Sequence, residues 1–526
     1  MPHTLRGTDS RPKVAMADSP TPIIRCGERV RAHTDEHDRA GRLASALLAA
    51  GVGRGDRVAV LARNDIEFLE VSLAIASAGA NPVPINTRWR AGEIAHVLAD
   101  CAPRVIFAHT EFVATVEDAR DRAGSSARIV EIAMPAPTLV EAGLDQALSV
   151  PTGRHPLLEE WIADQDEPVG YLEGAVADSM GLIYTSGTTG TPKGILRERM
   201  TPHQLLSIAG GIARRMGLAP GGRMLVAGPM YHTSPNAVAV LALRMGTDIT
   251  IMPRWDSERF LRLVHQHRIQ QAKIVPTMLS RLLSLPAEVR ERYDTGSLTH
   301  LIHSAAPCPP AIKRAAIDWF GDAVIEYFGS TETGTITWIG ATEWLARPGS
   351  VGRPADGSAV AILDEDGAEL PAGQPGRVFV RGADYWPRFE YLHRAGTAVT
   401  RGDLLWVGDT GYLDADGYLF LTGRSSEVVI RGGVNIYPAE IENAAMALPG
   451  VEDAAAIGVP SGDDLGEALE LYLVARPRHE LAPDQVTAAL AEQLAAYKLP
   501  SRISIVAELP RDDSGKLYRR ELRAAP

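Results

Sequence analysis

The run Tyr184-Thr185-Ser186-Gly187-Thr188-Thr189-Gly190-Thr191-Pro192-Lys193-Gly194 concentrates hydroxyls, glycines and one lysine directly behind an apolar segment, Gly181 to Tyr184. That composition suits phosphate. Glycines let the backbone approach an anion with successive amides pointing the same way, the Ser and Thr hydroxyls donate, and the lysine brings a point charge. In the P-loop, glycine directly precedes the lysine and a Ser or Thr follows it to hold magnesium. Here Pro192 precedes Lys193 and Gly194 follows it, so a P-loop kinase or ATPase fails on spacing. The bland reading is a surface turn; the length of the run and the strand leading into it argue against that.

Three further constellations follow. Glu326-Tyr327-Phe328-Gly329-Ser330-Thr331-Glu332-Thr333-Gly334 again ends an apolar strand, and ligands of parallel sheets bind beyond the carboxyl ends of strands. There an aromatic beside glycine can stack on a flat base, Thr331 can donate to a phosphate and Glu332 can hold magnesium. Gly408-Asp409-Thr410-Gly411 with Gly423-Arg424 offers a carboxylate and a guanidinium, one accepting and one donating, as the hydroxyls of a ribose require. Leu509-Pro510-Arg511-Asp512-Asp513-Ser514-Gly515-Lys516 lies near the end of the chain, where Lys516 either serves a site or opens a basic tail with Arg519, Arg520 and Arg523.

Position by position, the first run resembles the phosphate-binding signature of the adenylate-forming superfamily, which includes acyl-CoA synthetases, peptide-synthetase adenylation domains and luciferases. The other constellations follow in that family's order from about residue 184 to 516. The resemblance implies an enzyme that activates a carboxylic acid with ATP to an acyl-adenylate, releases pyrophosphate and passes the acyl group to a thiol, with ATP, Mg2+ and CoA as cofactors. It assigns Thr185, Ser186, Gly187, Thr188, Thr189 and Lys193 to the phosphates, and Thr185 with Glu332 to the metal. Phe328, between Tyr327 and Gly329, stacks on adenine, and Thr331 meets the α-phosphate. Ser304-Ala305-Ala306-Pro307 matches an adenine-binding turn that the family usually builds with glycines, and Asp409 and Arg424 hold the ribose. His232, in Tyr231-His232-Thr233, lines the acyl and α-phosphate site, and Lys516 enters to contact the carboxylate and α-phosphate. Lys516, His232 and Glu332 are thus the catalytic candidates, Lys516 because a cation between two approaching anions stabilises the transition state. Gly432, Gly433 and Asn435, in Gly432-Gly433-Val434-Asn435-Ile436-Tyr437-Pro438-Ala439-Glu440, resemble the hairpin beside the thiol tunnel of acyl-CoA synthetases.

One position departs from the pattern. The second residue after the ribose arginine is the family's hinge, normally Asp or Lys, and here it is Ser426. A charge that biases the adenylating and thioester-forming poses is absent, so equal competence in the two half-reactions is not implied. A stand-alone acyl-CoA ligase is favoured, since the chain ends at Pro526, soon after Lys516, where a peptide-synthetase domain would be followed by a carrier. The alternatives are an enzyme of mainly one half-reaction, a luciferase-like oxygenase, and a non-catalytic nucleotide-binding regulator. The acyl pocket is expected between 231–236, 304–307 and 333–338, mostly small or apolar, with no cation for a second carboxylate. A sizeable hydrophobic acid, aromatic, fatty or polycyclic, is therefore favoured, and the Ala-, Arg- and Gly-rich composition resembles that of actinobacterial ligases.

The elements that must position these residues fit the same picture. The 526 residues exceed one core. From about Asp38 to Phe328 helical and extended segments alternate, as in parallel sheets faced with helices; Leu43 to Ala50 and Ile66 to Ala78 read as helices, and Ala272 to Val275 and Ala323 to Tyr327 as strands. After about Gly349 short strands with turns such as Asp364-Glu365-Asp366-Gly367 indicate a barrel-like unit, and a smaller αβ unit closes the chain. The expected fold is α/β: a large domain over 1–424 with parallel-rich αβ sheets and a β-barrel-like subdomain at about 350–424, then a small mobile α+β domain over 425–526. Net charge −12 argues against a nucleic-acid or anionic-membrane partner. Cys26, Cys101 and Cys308 are too far apart for zinc or a disulfide framework, and no apolar run has signal-peptide or membrane-spanning character. The partners expected are a small carboxylic acid and CoA, the compartment cytoplasmic, and a homodimer is left open.

Overall fold

A computed structural model describes residues 21–165, 168–169, 181–186, 192–355, 357–394, 398–431, 434–461, 466–512 and 515–523. Six neighbouring strands form the parallel heart of its largest sheet, in the order Ile23–Cys26, Asp248–Ile251, Arg223–Val226, Gln271–Ile274, His300–His303 and Val324–Ser330. They are short and dominated by Ile, Val, Leu and Met, as strands covered on both faces must be. The crossover helices, among them Thr233–Arg244, Ser257–His267, Pro276–Leu283 and Pro310–Phe320, return the chain to the same edge each time, so the loops leaving the strands collect at one end.

The sheet then changes character. Val324–Ser330 pairs antiparallel with Gly334–Gly340, and from there Ser350–Pro354, Leu419–Arg424, Leu404–Leu413, Gly376–Arg381 and Ala359–Leu363 continue it, all antiparallel. These last strands close over their own small core of Ile336, Ile362, Val378, Val380 and Leu419. A second, wholly parallel sheet runs Asn81–Pro84, Arg57–Leu61, Val105–His109, Arg128–Ile132. Towards the end of the chain, Val451–Pro460, Glu467–Ala475 and Arg502–Val506 form a three-stranded mixed sheet, preceded by the hairpin Val429–Arg431 and Val434–Ile436.

The first helix begins at His33, ten residues before the segment that periodicity marks as helical. Its early turns are charged because they face a charge cluster, not water. Arg31 reaches Glu36 at 2.8 Å, Glu67 at 3.1 Å and Glu70 at 3.2 Å, Arg29 reaches Asp65 at 2.8 Å, and Arg39 reaches Glu70 at 2.8 Å and Glu159 at 2.7 Å. Glu36, Asp65 and Glu70 are fully buried, so a polar pattern that reads as a solvated face is an interior one.

A second buried pair lies beneath the strand that carries Phe328 and Gly329. Lys313, fully buried on helix Pro310–Phe320, meets Glu326 at 2.5 Å, and burial raises the Glu326 carboxyl against the pull of that ammonium. Removing one partner strands a charge in the interior. Lys313→Ala is expected to destabilise by about 3–5 kcal/mol, whereas Lys313→Met with Glu326→Leu recovers most of the loss. Denaturant midpoints of the single and double variants check this; equal stability of all three proteins would show the pair to be idle.

Candidate active site

The phosphate-loop segment is a β-hairpin. Ile183–Ser186 pairs with Pro192–Arg197, Ser186 facing Pro192 and Thr185 facing Lys193. Gly187, Thr188 and Thr189 lie outside the described residues, as do Gly432 and Gly433 and the side chains of Thr185, Ser186 and Asn435. A third strand, Phe389–Tyr391, pairs with the outer side of Pro192–Arg197 and brings Tyr391 and Trp386 to the site. The Lys193 ammonium lies 5.9 Å from the Tyr391 ring centre, and the Tyr391 hydroxyl donates to Glu332 Oε1 at 3.2 Å. One phenol thus links the phosphate hairpin to the Glu332 loop.

The Glu332 loop is held from several sides. Trp386 Nε1 donates to the Glu332 carbonyl at 3.0 Å, Arg197 donates to the Thr331 carbonyl at 2.6 Å, and the Arg197 guanidinium stacks over Trp386 at 5.3 Å. Burial lowers Arg197 to about 10, with Glu332 opposing it. Gly329 has no alternative here, because a Cβ would lie 2.0 Å from the Gly334 carbonyl oxygen. Phe328 packs towards the small core around Ile336, while Tyr327, one residue earlier on the strand, turns to the opposite face and stacks on Trp338 with ring centres 6.0 Å apart.

The strand His300–His303 leads into Ser304 and Ala305, and Ala305 adopts a positive φ of 75°. This left-handed conformation is where the family pattern places glycine, and an alanine holds it at a cost of about 1 kcal/mol. His232 is the cap residue of helix Thr233–Arg244, its ring tilted against Tyr231 at 4.6 Å. Asp409 and Arg424 sit opposite each other on neighbouring strands and pair at 2.7 Å, with Arg424 also donating to the Val407 carbonyl at 3.0 Å.

Lys516 comes from the far end of the chain on a tight turn. The Lys516 amide donates to Asp512 Oδ1 at 3.0 Å, the Asp512 amide donates to the Lys516 carbonyl at 3.0 Å, and Arg511 clamps the turn through Asp453 at 2.7 and 2.8 Å. Gly515 packs so closely on Thr277, at the start of helix Pro276–Leu283, that a Cβ would lie 2.6 Å from its hydroxyl. Loss of solvent around the ammonium and the Arg424 guanidinium both lower the Lys516 pKa. The structure therefore brings Thr331, Glu332, His232, Lys193, the Asp409–Arg424 pair and Lys516 to one end of the parallel strands. In the hairpin of Val429–Arg431 with Val434–Ile436, Ile430 and Val434 are exposed.

Residue matches to known proteins decide the family. Residues 21–386 match the profile of AMP-binding enzymes and residues 440–516 that of the AMP-binding enzyme C-terminal domain. The chain belongs to the AMP-binding enzyme family. It is 30% identical over 523 residues to the fatty acid–[acyl-carrier-protein] ligase ScoC of Streptomyces coeruleorubidus, covering 97% of this chain and 94% of that one. It is 32% identical over 506 residues to a feruloyl-CoA synthase of an Amycolatopsis species, covering 95% of each. The ATP-bound crystal structure of MatB from Rhodopseudomonas palustris superposes with a TM-score of 0.80 at 28% identity over 96% of both chains. The chain is accordingly an ATP-dependent, AMP-forming acid–thiol ligase. No described helix is long and apolar enough to cross a membrane.

Sequence reasoning missed Lys273, Arg197, Trp386 and Tyr391. The last three lie in segments without a motif and reach the site only through strand pairing. Lys273 carried a readable signal, a lone charge between the apolar Ala272 and Ile274 of a parallel strand. It also corrects the expectation that the acyl pocket lacks a cation, because its ammonium donates to Ser234, within the expected wall 231–236, and to Tyr327 beside it.

Asp409 supplies a pH test. Burial raises its carboxyl to about 6 from the ordinary 3.8, although Arg424 pulls the other way. A folded-state pKa above the unfolded one favours the folded state below about pH 4, and that advantage disappears as the pH rises through 6. The stability of the wild type relative to Asp409→Asn should fall by up to about 3 kcal/mol between pH 4 and pH 8. Urea midpoints of both proteins across that range measure it, and a difference that stays flat refutes the assignment.

Proposed function

We propose that this ligase adenylates a carboxylic acid with a hydrophobic body and transfers the acyl group to CoA in two successive poses. In the first, a carboxylate oxygen attacks the α-phosphorus of ATP and the bond to pyrophosphate breaks. In the second, a thiolate sulfur attacks the acyl carbon and AMP leaves. The observation that carries this reading is the seating of the Lys516 turn on Thr277, beside the Asp409–Arg424 pair.

In this reading the Lys516 ammonium donates to the carboxylate and the α-phosphate as their charges approach, which stabilises the transition state more than either ground state. Asp409 accepts from and Arg424 donates to the ribose hydroxyls, Phe328 and the Ser304-Ala305-Ala306 turn hold adenine, Thr331 the α-phosphate, and His232 borders the acyl carboxylate. Thr185 to Thr189 and Lys193 take the remaining phosphates. Glu332 fits magnesium as a single protein carboxylate near phosphate oxygens, since Mg2+ is commonly held by one or two carboxylates plus substrate phosphates. Among the described residues no larger cluster of His, Cys, Asp and Glu offers a metal site of its own. Bound there, magnesium neutralises phosphate charge.

The hydrophobic body follows from the cleft whose apolar side is formed by Ile208, Ile212, Met216, Trp338 and Trp386, with Arg215 stacked over the Trp338 ring at 5.6 Å. The relatives act on acids as different as a fatty acid and feruloyl, so likeness at about this level leaves the acid open. ScoC's acceptor is an acyl-carrier protein, which makes a carrier thiol the second reading for the acceptor. CoA and a carrier protein offered in competition separate the two.

We place the boundary between a large unit, 1–424, and a turning unit, 425–526, at Ser426, which is exposed in the short helical turn Ser425–Glu427. Its neighbour Glu427 is tied to Arg519 at 3.0 Å, so the charge nearest the hinge is already engaged. Turning brings Gly432, Gly433 and Asn435 to the thiol.

Two experiments test the reading. Lys516→Ala should slow acyl-adenylate formation by roughly two to four orders of magnitude while thioester formation from supplied acyl-adenylate survives, as measured by pyrophosphate release and by CoA capture separately. Normal adenylation by the variant removes Lys516 from the mechanism. The uncharged hinge is expected to leave one pose favoured; a bias of about 1.4 kcal/mol makes the other roughly tenfold scarcer. Ser426→Asp or Ser426→Lys should then shift the ratio of the two single-turnover rates, and unmoved, matched rates would show the hinge residue to be neutral.

A further inference from the structure

Strand Gln271–Ile274 lies in the middle of the parallel sheet, between Arg223–Val226 and His300–His303, and its neighbours Ala272 and Ile274 are buried core. Lys273 points to the other face. Its ammonium donates to the Ser234 hydroxyl and to the Tyr327 hydroxyl, and it stands 4.7 Å from the centre of the Tyr327 ring. Ser234 belongs to the first turn of the helix that His232 caps, and Tyr327 directly precedes Phe328. Ser304 closes the group through the Tyr327 hydroxyl, and Trp338 stacks on the phenol ring. The three segments expected to wall the acyl pocket, 231–236, 304–307 and 333–338, therefore meet around one lysine.

The fully buried Lys313, on the next layer, is matched by Glu326. Among the described residues no carboxylate lies within ion-pair distance of Lys273; its hydrogen-bond partners are two neutral hydroxyls. It is half-buried, neither sealed in the core nor out in water. A desolvated ammonium without a counter-charge is costly, and charge-assisted hydrogen bonds to an oxygen relieve that cost. The Ser234 hydroxyl, bonded to Lys273 and to Tyr327, keeps one hydrogen-bonding position for a further group.

We propose that Lys273, with Tyr327 and Ser234, is a specificity site that receives an oxygen acceptor on the body of the acyl substrate, a ketone or a second carboxylate remote from the carboxylate that is activated. The inference rests on the ligase reading above and deepens it: the acid has an apolar body in the cleft along Met216 and Trp338, where Arg215 covers one side of the Trp338 ring, and carries one oxygen past the Trp338–Tyr327 stack to Lys273. A site built around a hydrogen bond discriminates strongly against an analogue that lacks it, because the protein's own polar groups are then left unpaired.

The test compares saturated and aromatic monocarboxylic acids with counterparts of equal length that bear a remote ketone or a remote carboxylate, measured as acid-dependent pyrophosphate release and as CoA thioester formation. Wild-type enzyme should favour the oxygen-bearing member by at least about tenfold in kcat/KM, with the ketone and carboxylate arms telling a neutral acceptor from an anionic one. Lys273→Met should lower kcat/KM for that member by about 10- to 100-fold and carry the ratio towards one, Lys273→Arg should restore part of it, and Tyr327→Phe should give a smaller loss. Activity of the wild type on unsubstituted acids without any preference for the oxygen-bearing ones overturns the proposal and leaves the ligase reading standing. So does an equal loss on every acid in Lys273→Met, which would mark the lysine as a structural group or a ligand of the reacting carboxylate. Absence of pyrophosphate release and thioester formation with all acids overturns both.

Discussion

The pair Asp409–Arg424 is the interaction on which the rest of the site depends. It crosses two strands at the end of the sheet, where Asp409 is almost wholly buried and Arg424 is half exposed, so the carboxylate is fixed and the guanidinium is the end open to solvent. The next residues after Arg424 form the short turn from which the C-terminal part of the chain departs. The pair thus fixes the point from which Lys516 is suspended, and Arg424 in turn acts on the Lys516 ammonium. A charged pair that is partly desolvated holds its geometry well but contributes little net stability. Its value here is in position.

Much of the site was legible in the sequence because its parts are loops that obey local rules. A glycine that tolerates no Cβ at 329 and a turn in which the Lys516 and Asp512 backbones close on each other are set by residues a few positions apart. The parallel strands were legible for a similar reason, since strands buried on both faces are continuous apolar runs. What was not legible depends on pairing across the chain. Tyr391 reaches Glu332 only because Phe389–Tyr391 adds to the phosphate hairpin, and no local pattern around residue 389 announces that pairing. The first helix was read short for a related reason. Its charged early turns carry Glu36, which binds Arg31, and Arg39, which binds the buried Glu70, and a hydrophobic period cannot register a face whose partners are ions.

Buried charge serves two ends in this molecule, and the presence of a matching partner tells them apart. In the cluster around Arg29, Arg31 and Arg39, each guanidinium has its carboxylates; Glu67 is held near 2 despite its burial, because Arg29 and Arg31 favour its ionised form. Glu36, in the same cluster, is pushed up to about 8 by its burial and by Glu70, which shows that the cluster holds more acid than its arginines neutralise. Such a cluster is complete in itself, and its excess is settled by protons. Lys273 stands in the opposite situation, with hydroxyls and an aromatic face but no acid within reach among the described residues. A proton cannot settle a shortage of negative charge. Only deprotonation of the lysine, ionisation of a neighbour or an oxygen from outside can do so, and the Tyr327 phenol already responds. Burial alone would raise its pKa, yet Lys273 and the hydroxyls of Ser234 and Ser304 bring it below the ordinary tyrosine range. A cleft that draws its own phenol towards ionisation is one whose electrostatics are incomplete until a ligand enters.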